Sequence, residues 1–250
     1  MHPFKGVSSF LSTLVSFTDG RRIEDTPFLV GFFNDKIKKN MAINLTKGQR
    51  IEIGLSKVGV GLGWDPNEGT GFDFDLDASA FMLGANKKLP KEEFFVFYNN
   101  LCGRGHCSCK DKDGEDSTEC KEKYHCKDGI FGVMSMGDDT DGTNSDKGDD
   151  ETLNIDLSKV PTEIQEIVLT VTIHDYEIRK QNFGQVRNSY IRIYNSQTNE
   201  EIAKYELDED FSVETAVEFG RLYRRDGEWK FEAMGVGYKG GLQYFVDKYV

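Results

Sequence analysis

The chain has 250 residues, of which 38% are hydrophobic and 18 are phenylalanine, and it carries a formal net charge of −12. This length allows one large or two small domains with a packed core. The acidic balance argues against nucleic acid and anionic lipid as partners, since both select basic surfaces, and no apolar run approaches the ~20 residues that span a bilayer.

Residues 1–40 show no periodicity that extends into an element and end in the basic run KIKKN. They are expected to be an extension, disordered or arising from an upstream start codon, with PFLVGFF (27–33) as a candidate docking arm. The opening MHPFKGVSSFLSTLVSF is broken by Ser and Thr and lacks a clear small-x-small cleavage site, so it is not read as a secretory signal. Five cysteines, an odd count with no disulfide-framework spacing, point the same way, to a reducing cytoplasm.

A domain is expected over 41–250. Alternation of apolar and polar residues predicts strands over 44–56 and 72–81, and FFVFY after Glu93 predicts another over 93–98. The β-branched EIVLTVTIH (166–174) reads as a strand buried on both faces. Segments 190–194 and 202–207 flank SQTNEE as a hairpin, and Asp226-Gly227 sits between two further strands. Only 243–250 and a short stretch after Pro161 favour helix. The predicted class is mainly β, an antiparallel β-sandwich with few short helices.

The acid is concentrated. Residues 110–151 hold 14 Asp/Glu against 6 Lys, a net of −8. Three acidic groups recur: Asp65 with Asp73, Asp75 and Asp77; residues 136–151; and His174 with Asp175. If 72–81 is one strand, Asp73, Asp75 and Asp77 share a face and repel one another. A cation, an arginine cluster or plain exposure would offset that cost. Each acidic loop alone reads as a solvated turn. Pooled at one end of a sandwich, such loops supply the oxygen ligands that Ca²⁺ prefers. EF-hands are rejected, because the two stretches with ligand-like spacing lack glycine at loop position six and flanking helices.

GLGWD (61–65), FDFDLDASAF (72–81), FYNN (97–100), GDDE (148–151), LSKVP (157–161), TIHD (172–175), RKQNFGQVRNSYIRIYN (179–195) and GEWKFEAMGVGYKGGL (227–242) occur in that order. Together they resemble the TerD family of tellurium-resistance and bacterial stress proteins, over about 41–250 apart from one insertion. The resemblance implies a calcium-binding β-sandwich without enzymatic activity, acting in the cytoplasm in stress and tellurite resistance. It implies partnership with other proteins of the resistance system, one an integral membrane protein, and so a place at the inner face of the membrane. It also implies calcium ligands, with two sites, drawn from Asp73, Asp75, Asp77, Asn99, Asn100, Asp138, Asp139, Asp149, Asp150, Glu151 and Asp175. Neither nucleic acid nor a direct small-molecule substrate is expected. The chain departs from the family pattern at Asp138 and Asp139, where Asp-Asn is usual, and in a longer path to GDDE.

A larger departure is a Cys-rich insertion at about 102–136. It holds Cys102, Cys107, Cys109, Cys120 and Cys126, with His106 and His125. Four thiolates, or three and an imidazole, suit tetrahedral zinc, which would staple a segment too acidic to fold by burial. Disulfide or redox chemistry and an unstructured reduced loop are the alternatives. The competing functions are accordingly a redox or zinc-dependent protein using that insertion, an enzyme using His174 and Asp175, and a calcium-dependent peripheral membrane module.

Overall fold

The computed structural model describes residues 43–44, 46–103, 129, 131–143, 148–207 and 211–250. The expected extension over 1–40 and most of the Cys-rich insertion, with Cys107, Cys109, Cys120, Cys126, His106 and His125, lie outside the described residues.

Among the described residues, twelve strands form two six-stranded sheets. The first has the order β1 (Ile43–Asn44), β10 (Glu201–Glu206), β9 (Tyr190–Asn195), β3 (Lys57–Gly63), β7 (Glu151–Asp156), β6 (Val133–Ser135). The second has the order β2 (Arg50–Glu52), β12 (Glu228–Tyr238), β11 (Ala216–Arg225), β8 (Glu166–Ile173), β4 (Leu76–Leu83), β5 (Phe95–Val96). Only β1 and β10 pair in parallel; every other named pair is antiparallel. The fold is the mainly β, sandwich-like architecture expected from the sequence.

The core lies between the sheets. Val58, Val60 and Leu62 of β3 and Leu153 and Ile155 of β7 share one buried cluster with Leu76, Ala78, Ala80 and Met82 of β4 and Ile167, Leu169, Val171 and Ile173 of β8. Alternate residues of a strand face opposite ways, so the other faces of β4 and β8 need separate cover. The C-terminal helix provides it: α2 (Gly241–Tyr249) seats Phe245 and Tyr249 against Phe81, Leu83 and Val168. Strand β8 is therefore buried along its whole length, as its β-branched run predicts.

Four local expectations change. Residues 44–56 are not one strand: a turn at Lys47 and Gly48 separates β1 in one sheet from β2 in the other. Residues 72–81 become strand only from Leu76, so Asp73 and Asp75 lie in the incoming loop and no three-aspartate row forms. The stretch after Pro161 is a turn, and a short helix stands elsewhere, α1 (Tyr176–Arg179). Val133–Ser135, at the end of the expected insertion, pair with β7 as β6 and so belong to the sandwich.

Candidate metal centre

The incoming loop, the first residues of β4, the end of β8 and the loop after β6 meet at one edge of the sandwich. There the carboxyl oxygens of Asp75, Asp77 and Asp138 lie within 4.8 Å of one another. Asp75 is 4% exposed and Asp77 3%, while Asp138 is open to solvent. Asp77 points away from the inter-sheet core because its neighbours Leu76 and Ala78 occupy that side. The Asp75 carbonyl accepts the His174 N–H at 2.9 Å, which ties the loop to the end of β8.

Electrostatics oppose this grouping. Burial, reinforced by Asp77, pushes the Asp75 carboxyl up to about 6. Burial raises Asp77 too, against the hydrogen bond from His174. Two cations of the chain answer in part. An Arg179 terminal nitrogen lies 3.1 Å from an Asp75 oxygen, and His174 Nδ1 lies 3.6 Å from an Asp77 oxygen. The Asp77 partnership holds the His174 imidazole up at about 9. Asp175 enters at positive φ, a conformation aspartate tolerates, and its carboxylate lies 3.8 Å from His174 Nε2.

A second acidic layer stands behind the first. Glu151 is buried at the start of β7 and accepts the Ala78 N–H at 2.7 Å. Burial, with Asp77 and Asp138 adding to it, raises its carboxyl well above the usual range. Asp150 accepts the Trp64 N–H at 2.8 Å through one oxygen, while its other oxygen is buried with no hydrogen-bond partner. Burial, with nearby Asp139, Asp149 and Asp65, lifts Asp150 to about 6. Asp139 is buried and accepts the Asp141 and Gly142 N–H groups at 3.1 and 3.0 Å, which shapes its own turn.

These donors are carboxylate oxygens, the set that hard cations take. The buried cluster could hold a metal ion.

The TerD domain matches residues 41–249 of the chain. The chain is 45% identical over 215 residues to general stress protein 16U of Bacillus subtilis, covering 84% of this chain and 97% of that protein. It is 42% identical over 214 residues to tellurium resistance protein TerD of Serratia marcescens, again covering 84% and 97%. The chain belongs to the TerD family. The crystal structure of a homologue of telluride resistance protein TerD from Streptomyces coelicolor A3(2) shares the fold, with a TM-score of 0.54 at 18% identity, covering 77% of this chain and 95% of that one.

Within this TerD domain the other expected ligands are dispersed. Asp149 is gripped by Arg192 through two contacts of 2.7 Å and by the Tyr190 hydroxyl at 3.0 Å, so its oxygens are committed to β9. Asn100 is buried and fixes its own loop, donating to the Phe95 carbonyl and accepting the Gly103 N–H. Asn99 is exposed. Asp73 is exposed, and its carbonyl accepts from Arg179 and from Gln181. Cys102 is buried beside this loop. Asp65 accepts from the Asn188 amide.

Sequence reasoning missed the supports. Gln181 clamps the Phe72 and Asp73 carbonyls at 2.9 and 3.1 Å, and Trp64 bridges Asp150 to the Phe74 carbonyl. Both stand inside the motifs that carry the family resemblance, but a side chain that holds a loop by backbone carbonyls leaves no charge pattern to read.

Proposed function

We propose that this TerD-family protein is a calcium-binding, non-enzymatic module of the stress and tellurite-resistance response, working in the cytoplasm with other proteins of that system at the inner face of the membrane. The observation that carries the calcium reading is the grouping of Asp75, Asp77 and Asp138, two of them buried, in a fold that supplies only partial compensation from Arg179 and His174. Uncompensated carboxylates held together cost free energy that a divalent cation recovers. Asp75, Asp77 and Asp138 would hold one ion. Asp150 and Glu151, with Asp139, would serve the second, the partnerless Asp150 oxygen being its strongest support.

The non-enzymatic part rests on the state of His174. In the metal-free fold its imidazole is flanked by Asp77 and Asp175 and held protonated near neutrality, a poor state for a general base. The test is calorimetric titration of the chelated protein with Ca²⁺. Asp75→Asn and Asp77→Asn should each abolish the first binding event. Full-strength calcium binding in both variants would overturn the reading.

A further inference from the structure

A groove of about 780 Å³ opens at the end of β8, lined by α1 and by the flank of α2. Its volume is that of a ligand cleft. Tyr176 holds the two helices together: its ring packs on Gly241, where a Cβ would come within 2.9 Å of it.

Part of the lining is apolar. Leu242 and Val246, four apart, share a stripe of α2 and stay half-buried beside the Phe245 and Tyr249 contacts that seat the helix on the sheet. Ile178 of α1 also lines the groove and is 71% exposed, the most open large apolar side chain among the described residues. One exposed isoleucine is ordinary; here it shares a groove with two further apolar side chains.

The charge is one-sided. His174 Nδ1 lies 3.6 Å from Asp77, so these two answer each other. Beyond that pair the lining holds Asp175, Glu177 and Asp247, all exposed, against Lys239 alone. Glu177 accepts the Tyr176 hydroxyl at 3.0 Å and Asp247 the Gln243 side chain at 2.7 Å, neutral contacts that leave both charges in place. Arg179, next to Ile178, is committed to Asp75 at 3.1 Å and does not offset them.

Such a lining repels the phosphates of nucleic acid and lipid. A metal ion or a polyamine would leave its apolar side chains in water. A ligand that carries lysine or arginine among apolar side chains satisfies both parts, as helices laid into grooves do.

We propose that this groove docks a basic amphipathic segment of a partner protein, with apolar side chains covering Ile178, Leu242 and Val246 and cationic ones meeting Asp175, Glu177 and Asp247. The net charge of −12 would steer such a segment in. The inference goes beyond the calcium reading: it needs no ion and stands if that reading fails.

The test is amide NMR of the full chain in chelator, titrated with a synthetic leucine–lysine peptide of about ten residues, its leucines spaced as helix anchors. Saturable shifts are expected at the Glu177, Ile178, Leu242 and Val246 amides. The same peptide with serine for leucine should bind at least about tenfold more weakly, and with glutamate for lysine not at all. Glu177→Lys combined with Asp247→Lys should weaken binding about thirtyfold, since each reversal turns attraction into repulsion. Ile178→Ser should weaken it about fivefold. All three positions are exposed, so the melting temperature should stay within a few degrees. Shifts spread over the whole molecule, equal binding of the serine peptide, or unchanged affinity in both variants would overturn the proposal. Spermidine producing the same shifts while the peptide is inert would assign the groove to a small cation and overturn it too.

Discussion

At the residue scale, the edge of the sandwich concentrates carboxylates that the fold only partly neutralises. Asp75 and Asp150 have folded values near 6, above the ordinary 3.8, so the folded state binds protons that the unfolded chain has released. Stability without metal therefore rises as pH falls from about 6 towards 4. His174 acts in the same direction at higher pH: its contribution is complete below about 6.5 and is lost as pH rises through about 9. Thermal melts of chelated protein should show stability declining steadily from pH 5 to 9, and a maximum above pH 8 would contradict this. Asp77→Asn should raise the melting temperature of the chelated protein while reducing its response to calcium. In the unaltered protein, calcium at 100-fold its dissociation constant should add about 2.7 kcal/mol. Arg192 gives the complementary case. Arg192→Ala strands the Asp149 carboxylate and should cost about 3 kcal/mol, with calcium binding intact, because Asp149 is committed to that arginine.

At the element scale, α2 is fastened by one buried acid. Glu218 of β11 is 0% exposed and takes Lys248, the Tyr249 hydroxyl and the Tyr238 hydroxyl. Lys248→Met keeps the aliphatic stem and leaves that carboxylate without its cation. The expected loss is about 3 kcal/mol, with hydrogen exchange in α2 accelerated ahead of β8. Uniform exchange across both would show that the helix is not latched there. Elements with strong patterns were legible in the sequence: β8 from its β-branched run, β9 and β10 as a hairpin, β11 and β12 around Asp226-Gly227, and α2 near its observed start. Strand β3 was not, because KVGVGLG alternates Val and Leu with glycine. Its glycines are there for space, since a Cβ at Gly59 or Gly63 would run into the Tyr194 or Tyr190 ring. Glycine in that pattern reads as loop. The opposite error, extending β4 back to Phe72, follows from an alternation that is real in sequence but serves the acidic cluster. Asp75, Asp77 and Asp138 were all expected ligands; that Asp149 instead holds Arg192 depends on a contact distant in sequence, while Asn100 fixes its own loop through Phe95 and Gly103.

At the scale of the whole molecule, the family match over 41–249 and the pairing of Ile43 with Ala203 put the sandwich downstream of the first 40 residues. A chain beginning at Met41 should fold and bind calcium as the full chain does; an insoluble or metal-free truncation would show that the preceding residues complete the core. The central claim, that this TerD domain holds calcium at its acidic edge, is tested most directly by native mass spectrometry of the full chain before and after chelation. Two calcium ions per chain, lost on chelation and with at least one absent in Asp77→Asn, are predicted. A mass unchanged by calcium or chelator would contradict the account.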